Sequence, residues 1–380
     1  MERRTFLKCA AAGALAAAGC ATAAGGTSAK RKPNFIVIFT DDQGYADLGC
    51  FGATQFATPN IDRMAAQGVR FTDFHSSSPV CTPSRASLMT GCYAQRVGMP
   101  RVLNPKSTTG INANEVTVAE IMKGQGYATG CVGKWHLGHL PPFLPTRHGF
   151  DSYFGIPYSN DMVPACLMRD EEVIEPEVEQ DTLTDRYAEE AVRFIRAHKD
   201  EPFFLYLAHN MPHVPLHAAE RFRGKSKGGL YGDVIENIDW SVGRVLDTLD
   251  ELGLARDTLV VYTADNGPWL ARGEDSGFAA PLRNGKGSTY EGGMREPCVM
   301  RWPGIIPAGS VCGEFATAMD ILPTFAQVAG GSAPTDRVIV GHDILPLMTG
   351  AAGAVSPYDV FYYYAQEGLQ AVRSGKWKLR

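Results

Sequence analysis

The stretch "NFIVIFT", residues 34–40, is apolar at five consecutive positions and is followed by two aspartates. An uninterrupted apolar run of this length is typical of a strand that is buried on both faces, as in parallel sheets. Similar runs occur in "YATGCVG" (127–133), "PFFLYLA" (202–208) and "TLVVYTA" (258–264). These four runs predict the central strands of a mainly parallel sheet.

Segments with helical spacing alternate with these runs. The predicted helices are "PNIDRMAAQG" (59–68), "VTVAEIMKGQG" (116–126), "LTDRYAEEAVRFIRAH" (183–198) and "DVIENIDWSVGRVLDTLDELG" (233–253). In the third of them, Tyr187, Ala191 and Ile195 fall on one face. Alternating strands and helices predict an α/β fold in which helices sandwich a mainly parallel sheet.

The length and the net charge of the chain limit the classes of protein to which it can belong. The chain has 380 residues, 44% of them hydrophobic, which is enough for one large domain or two. Its net charge of −5 argues against a nucleic-acid-binding protein, which is usually basic. A local basic pocket can still bind an anionic substrate in an acidic protein.

Residues 1–30 predict an export signal peptide rather than part of the fold. A charged start precedes a short Ala-rich stretch, which is too short to span a membrane. "RRTFLK" (3–8) resembles a twin-arginine signal, and "AAGC" ending at Cys20 resembles a lipoprotein processing site. We therefore expect an exported protein, periplasmic or extracellular. It would be attached to a membrane only if Cys20 carries a lipid anchor.

The chain has nine cysteines, and two of them, Cys9 and Cys20, fall in the leader. None of the remaining seven forms a CxxC pair, which argues against a zinc ribbon. An odd number leaves at least one thiol unpaired, and Cys81 is the candidate.

Polar residues follow nearly every predicted strand. Because ligands bind outside the carboxyl ends of parallel strands, we expect these residues to converge on one edge of the sheet. The oxygen donors among them suit Ca²⁺ or Mg²⁺ rather than zinc. The clusters are Asp41–Asp42, Lys134 with His136, His209 with His213, and Asp265–Asn266.

The run "CTPSRASLMTG" (81–91) resembles the signature of the type I, formylglycine-dependent sulfatases of the alkaline phosphatase-like superfamily. Further segments resemble members of the arylsulfatase A and N-acetylgalactosamine-6-sulfatase type, in the family's order, so that the resemblance covers residues 33–380. These segments are "GKWHLG" (133–138), "PTRHGFDSYFGIPYSND" (145–161), "PHVP" (212–215) and "LRNGKGSTYEGGMREP" (282–297).

The resemblance implies a sulfuric ester hydrolase in which dedicated machinery oxidises Cys81 to formylglycine (3-oxoalanine). A hydroxyl of the aldehyde hydrate attacks sulfur, and the covalent sulfo-enzyme then collapses to release sulfate. Arg85 orients the hydrate, His136 deprotonates its second hydroxyl, and His213 assists the leaving alcohol. The resemblance further implies a Ca²⁺ site, with Mg²⁺ as the alternative, and a sulfate site. The cation ligands are Asp41, Asp42, residue 81, Asp265 and Asn266; the sulfate contacts are Lys134, Ser159 and Lys286.

Two other functions fit the same residues: a phosphatase or phosphonate-ester hydrolase of the same superfamily, and a non-catalytic exported glycan-binding protein. The expected substrate of the sulfatase is a sulfated carbohydrate, and loops 95–115, 139–180 and 268–283 would set specificity. We expect a catalytic domain over 33–355. Residues 356–380 would begin a small C-terminal antiparallel sheet that looks truncated after "LQAVRSGKWKLR".

Overall fold

The computed structural model describes residues 31–380, of which Lys32–Arg380 form one compact unit. The export signal predicted over 1–30 lies outside the described residues. Within residues 31–380, no helix combines the length and the apolar character that crossing a membrane requires. The strands are β1 Asn34–Thr40, β2 Val69–His75, β3 Ala128–Gly133, β4 Ser152–Gly155, β5 Leu167–Arg169, β6 Glu172–Glu175, β7 Phe203–Ala208, β8 Thr258–Ala264, β9 Arg295–Arg301, β10 Ser310–Cys312, β11 Ala316–Thr317, β12 Phe361–Ala365, β13 Gly368–Ser374 and β14 Trp377–Leu379. The helices are α1 Pro59–Ala66, α2 Cys81–Thr90, α3 Val118–Gly124, α4 Leu183–Ala197, α5 Gly229–Glu251, α6 Glu291–Met294, α7 Ile321–Val328 and α8 Leu345–Met348.

Eleven strands form one sheet in the order β10-β2-β9-β8-β1-β7-β3-β4-β5-β6, with β11 added beside β2. The predicted central strands β8, β1, β7 and β3 are neighbours and run parallel. Strand β9, which the sequence pattern did not reveal, is antiparallel to both β8 and β2. The prediction of an α/β fold with a mainly parallel sheet is confirmed.

Strand β1 is apolar along its whole length because both of its faces are covered. Phe35, Val37 and Phe39 belong to one hydrophobic core, whereas Ile36 and Ile38 belong to a second core on the other side of the sheet. Helices α4 and α5 contribute to the second core, and α2, α3 and α7 contribute to the first. Burial on two faces therefore explains the sequence run that predicts the fold.

A separate antiparallel sheet, in the order β12-β13-β14, ends the chain. Phe361 and Tyr363 of β12 pack in a small cluster with Tyr93 and Phe315 of the main body. Arg373 of β13 adds a 2.6 Å ion pair to Asp73 of β2. The expectation of antiparallel strands in this segment is confirmed.

All seven cysteines of the described residues are free, so Cys81 is not a single unpaired thiol among disulfides. Cys298 and Cys312 illustrate the reason, because both lie opposite Phe71 but on different sides of β2. Two strand spacings separate them by roughly 9–10 Å, and a disulfide needs Cα atoms within about 7 Å.

Candidate active site

The site begins where β1 and β8 end side by side. The two strands are in register up to Thr40 opposite Ala264, so that Asp41 and Asp265 follow at the same level. The Asp265 backbone N–H donates to the Thr40 carbonyl at 3.0 Å, and the Asp42 N–H donates to Asp265 Oδ1 at 3.2 Å. Parallel pairing thus joins residues that are more than two hundred positions apart.

Oxygen atoms of Asp41, Asp42 and Asp265 lie within 4.8 Å of one another, and all three side chains are buried. Asn266 joins them by donating from Nδ2 to Asp42 Oδ1 at 2.7 Å. Asp41 Oδ1 and Asn266 Oδ1 are buried and accept no hydrogen bond from any described residue. These two unsatisfied oxygens, one from a carboxylate and one from an amide, lie in a cluster of three carboxylates and suit binding of a hard divalent cation.

The charges in this cluster oppose one another. Burial raises the pKa of Asp265 to about 7, and the neighbouring Asp41 carboxylate adds to the increase. Burial would also raise the pKa of Asp41, but Lys134 and Arg85 outweigh it and the pKa is lowered. A divalent cation would relieve the repulsion between these carboxylates.

Cys81 is the first residue of α2 and is buried, with 2% of its surface exposed. Its Sγ lies within 4.8 Å of both an Asp41 carboxylate oxygen and a ring nitrogen of His213. Burial raises the pKa of the Cys81 thiol to about 11, although Lys134 and Lys286 lower it. An unmodified thiol at this position is therefore protonated near neutral pH and is a weak nucleophile.

Arg85 lies one helical turn after Cys81 and is fully buried. Its Nη2 lies 2.8 Å from Asp265 Oδ2 and 3.3 Å from Asp41 Oδ2. Its Nη1 donates to the Lys134 carbonyl at 3.1 Å. The guanidinium thus connects helix α2 to the carboxylates after β1 and β8 and to the backbone after β3.

Two lysines bring positive charge to the same place. Lys134 Nζ donates to Asp41 Oδ2 and, at 3.2 Å, to Ser159 Oγ. Lys286 Nζ donates to Asp42 Oδ2 at 2.7 Å. Burial alone would lower the pKa of Lys286, but Asp42 raises it overall and keeps the ammonium charged.

His136 is buried with its two ring nitrogens in different environments. Nε2 lies 2.9 Å from the Leu103 carbonyl oxygen, to which it can only donate, and Nδ1 has no partner among the described residues. Burial, reinforced by the charge of Lys134, lowers the pKa of His136 well below its ordinary value. The ring therefore stays neutral and offers the Nδ1 lone pair as a base.

His213 and Ser159 complete the cluster. His213 Nδ1 lies 2.6 Å from the Val214 carbonyl oxygen and 3.4 Å from Ser159 Oγ, and Nε2 lies 3.5 Å from Asp42 Oδ2. Burial lowers the pKa of His213, while Asp42 opposes this effect. The His136 carbonyl accepts a 3.0 Å hydrogen bond from Thr82 Oγ1, next to Cys81. The structure thus brings His136 close to the other residues singled out for this site, which contact one another: Asp41, Asp42, Cys81, Arg85, Lys134, Ser159, His213, Asp265, Asn266 and Lys286.

Other histidines contact different partners. His75 binds Asp73 at 2.9 Å, and His209 lies 3.2 Å from Ser241 Oγ. Trp269, which sequence reasoning did not single out, lies 5.7 Å from the His213 ring, and Lys286 Nζ lies 4.5 Å from its ring centre. Its signal in the sequence was its place three residues after Asn266, within the loop that carries two of the predicted ligands.

Comparisons with known proteins define the class of this chain. A family model described as Sulfatase matches residues 33–332. The chain is 41% identical to arylsulfatase A of Homo sapiens over 93% of this chain and 76% of that protein. It is 39% identical to N-acetylgalactosamine-6-sulfatase of Canis lupus familiaris, covering 93% and 72% of the two chains. A solved structure described with glycosaminoglycan metabolism by Bacteroides thetaiotaomicron superposes with a TM-score of 0.84 at 31% identity, covering 92% and 87%.

The fold is the alkaline phosphatase-like fold of the sulfatases. The chain belongs to the sulfatase family. Both of these curated relatives are sulfatase enzymes, and sulfate-ester hydrolysis is the class of reaction that follows.

Proposed function

We propose that the chain hydrolyses a sulfate ester with a formylglycine hydrate at position 81 as the nucleophile. The observation that carries this proposal is the position of Cys81, whose Sγ lies within 4.8 Å of Asp41 and His213 although its thiol has a pKa of about 11. A protonated thiol is a poor ligand for the hard cation that these oxygen donors suit, and it carries no negative charge for the lysines to stabilise. An aldehyde hydrate at the same place offers two hard hydroxyls, of which one can reach the cation site and one can face a base.

The cation site would be formed by Asp41, Asp42, Asp265 and Asn266, with residue 81 as a further ligand. The unpartnered Asp41 Oδ1 and Asn266 Oδ1 support this assignment, and the all-oxygen donors favour Ca²⁺ or Mg²⁺. When bound, the cation would supply Lewis acidity and lower the pKa of the attacking hydroxyl.

In the first half of the reaction, one hydroxyl of residue 81 loses its proton and its oxygen forms a bond to sulfur, while the bond from sulfur to the alcohol oxygen breaks and that oxygen takes up a proton. Lys134, Ser159 and Lys286 lie where they can bind the sulfate oxygens. His213 and Lys286 lie beside Asp42 and can stabilise or protonate the departing alcohol oxygen.

In the second half, the proton of the remaining hydroxyl goes to a base as the bond from carbon to the sulfated oxygen breaks. Sulfate leaves, the aldehyde forms again, and water rehydrates it. His136 suits the role of base because Nε2 is committed to the Leu103 carbonyl and Nδ1 is free. Arg85 would hold Asp265 and Asp41 in place during both halves.

The proposed substrate is a sulfated carbohydrate, which the glycosaminoglycan-related structure and the hexosamine sulfatase relative support. We further propose an exported protein, periplasmic or extracellular, from the leader over 1–30, with Cys20 as a candidate lipid anchor. The catalytic domain would span 33–355, and residues 356–380 would belong to a C-terminal subdomain. Maturation would require a partner that oxidises Cys81 to the aldehyde.

Two measurements on one preparation test the proposed function. Mass spectrometry of the tryptic peptide that contains residue 81 should find the aldehyde, and its fraction should rise when a formylglycine-generating enzyme is co-expressed. Sulfate release from an aryl sulfate should rise in proportion, and exceed phosphate release from the matching aryl phosphate. Full activity with an unmodified Cys81, or a preference for the phosphate ester, would refute the proposal.

A further inference from the structure

A cleft of about 560 Å³ lies beside the proposed catalytic residues. Its volume is within the range of roughly 300–1,000 Å³ that is usual for small-molecule sites. Its walls come from four separate parts of the chain: the residues before α2 (Val80), two loops (Val102 and Gly287) and the C-terminal sheet (Gln366 and Gln370).

Each wall on the main body is directly connected to a catalytic candidate. Val80 precedes Cys81, and Gly287 follows Lys286. Val102 precedes Leu103, whose carbonyl binds His136 Nε2 at 2.9 Å. The backbone of these cleft walls is therefore continuous with the segments that carry Cys81 and Lys286.

The wall formed by the C-terminal sheet is hydrogen-bonded to the main body. Gln366 lies in the turn between β12 and β13, and its carbonyl accepts a 2.6 Å hydrogen bond from Gln95 Nε2. In the same turn, Glu367 receives hydrogen bonds of 2.6 and 3.0 Å from Arg101. The turn is therefore tied at two points to the loop that follows α2.

The chemistry of the cleft suits a hydroxylated ring. Gln366 and Gln370 both line it, and each side-chain amide offers donors and an acceptor. Thr289 Oγ1 donates to Gln370 Oε1 at 3.0 Å, which orients that amide before any ligand binds. None of the described residues that line the cleft is aromatic, so it offers no ring on which an aryl or steroid group could stack.

We propose that this cleft binds the glycosyl residue linked to the sulfated sugar, and that Gln366 and Gln370 recognise its hydroxyl groups. The inference rests on the proposed sulfatase function and names its substrate more closely: a sulfated oligosaccharide rather than a sulfated monosaccharide or an aryl sulfate. The C-terminal sheet then contributes to specificity as well as to the fold.

The test compares two substrates that differ by one sugar. From a panel of O-sulfated hexoses and N-acetylhexosamines, the best monosaccharide is paired with its disaccharide, and kcat/KM is measured for both. The native protein should prefer the disaccharide. In the double variant Gln366→Ala/Gln370→Ala, the ratio of disaccharide to monosaccharide kcat/KM should fall about ten-fold, as expected for two lost hydrogen-bonding groups. Val102→Trp, which fills the cleft, should lower the same ratio.

Gln55→Ala provides the matched control, since Gln55 lies in a different surface cleft and should leave the ratio unchanged. An unchanged ratio in both cleft variants would overturn the proposal, as would a native protein that shows no preference for the disaccharide. Hydrolysis of an aryl sulfate with no hydrolysis of any sulfated sugar would also overturn it, while leaving the proposed function intact. Failure to hydrolyse either class would instead refute the proposed function.

Discussion

Arg85 donates two hydrogen bonds, from Nε at 3.0 Å and from Nη2 at 2.8 Å, to the single oxygen Oδ2 of Asp265. This contact joins the helix that carries residue 81 to the strand end that carries two candidate cation ligands. Both side chains are fully buried, so neither charge has solvent as an alternative partner. The contact couples the stability of the fold to the geometry of the site.

We therefore expect Arg85→Lys to destabilise the protein, because one ammonium group cannot reach Asp265, Asp41 and the Lys134 carbonyl together. The free energy of unfolding, measured by urea denaturation, should fall by about 3 kcal/mol. Arg193→Lys on the exposed surface of α4 is the control and should change it by less than about 0.5 kcal/mol. Equal stability of the two variants would contradict the structural role of Arg85.

Removal of the proposed cation should lower the melting temperature as well as the activity. A cation that binds only the folded state stabilises it by about 2.7 kcal/mol at a hundred-fold excess over Kd. After chelation, Ca²⁺ or Mg²⁺ should restore the melting temperature of the native protein but not that of Asp41→Asn. The exposed-site variant Asp336→Asn should respond like the native protein. Stoichiometric zinc without calcium or magnesium in the purified protein would contradict the oxygen-ligand site.

Trp269 should act as a positioning residue for Lys286, whose Nζ lies 4.5 Å from the centre of its ring. Loss of a cation–π contact of about 1 kcal/mol corresponds to roughly five-fold in kcat/KM. Trp269→Ala should show this loss, and Trp269→Phe should recover most of it because an aromatic face remains. A Phe variant as impaired as the Ala variant would mean that the Lys286 contact does not matter.

The ends of the central strands could be predicted from the sequence, because continuous apolar runs identify strands buried on both faces. Asp41, Asp42, Asp265 and Asn266 converge for the simple reason that β1 and β8 are parallel neighbours in register. Lys134, His136 and His213 could be placed at the same edge of the sheet because they too follow predicted strands. The family resemblance supplied Arg85, Ser159 and Lys286, and the role of Cys81.

Other features depend on long-range packing that no local pattern encodes. Strand β9 is antiparallel within a parallel region, and its sequence does not reveal this direction. Gln366 and Val80 line the same cleft although about three quarters of the chain separates them. The loops expected to set specificity include Val102, but no sequence pattern predicted that residues of the C-terminal sheet would line the same cleft.

The pH profile should reflect the neutral state of His136. Burial and the charge of Lys134 lower its pKa, so the ring stays neutral as pH falls through its ordinary value of 6.5. Base catalysis by Nδ1 should therefore persist below pH 6.5 and disappear only as pH falls through the lowered pKa. We expect the acidic limb of the kcat profile below pH 6.5, and accumulation of a sulfo-enzyme in His136→Ala. An acidic limb above that pH, with no adduct in the variant, would assign the base elsewhere.

The most direct test of the formylglycine mechanism is the mass of the Cys81→Ser variant after incubation with a sulfate ester. Serine supplies one hydroxyl, which can attack sulfur beside Lys134 and the carboxylates, but it has no second hydroxyl for His136 to deprotonate. Loss of this intramolecular route should slow sulfate release by on the order of 10³-fold or more. We predict at most one turnover and a covalent adduct of one sulfo group at residue 81. Multiple turnovers at near-native rates, with no adduct, would contradict the account.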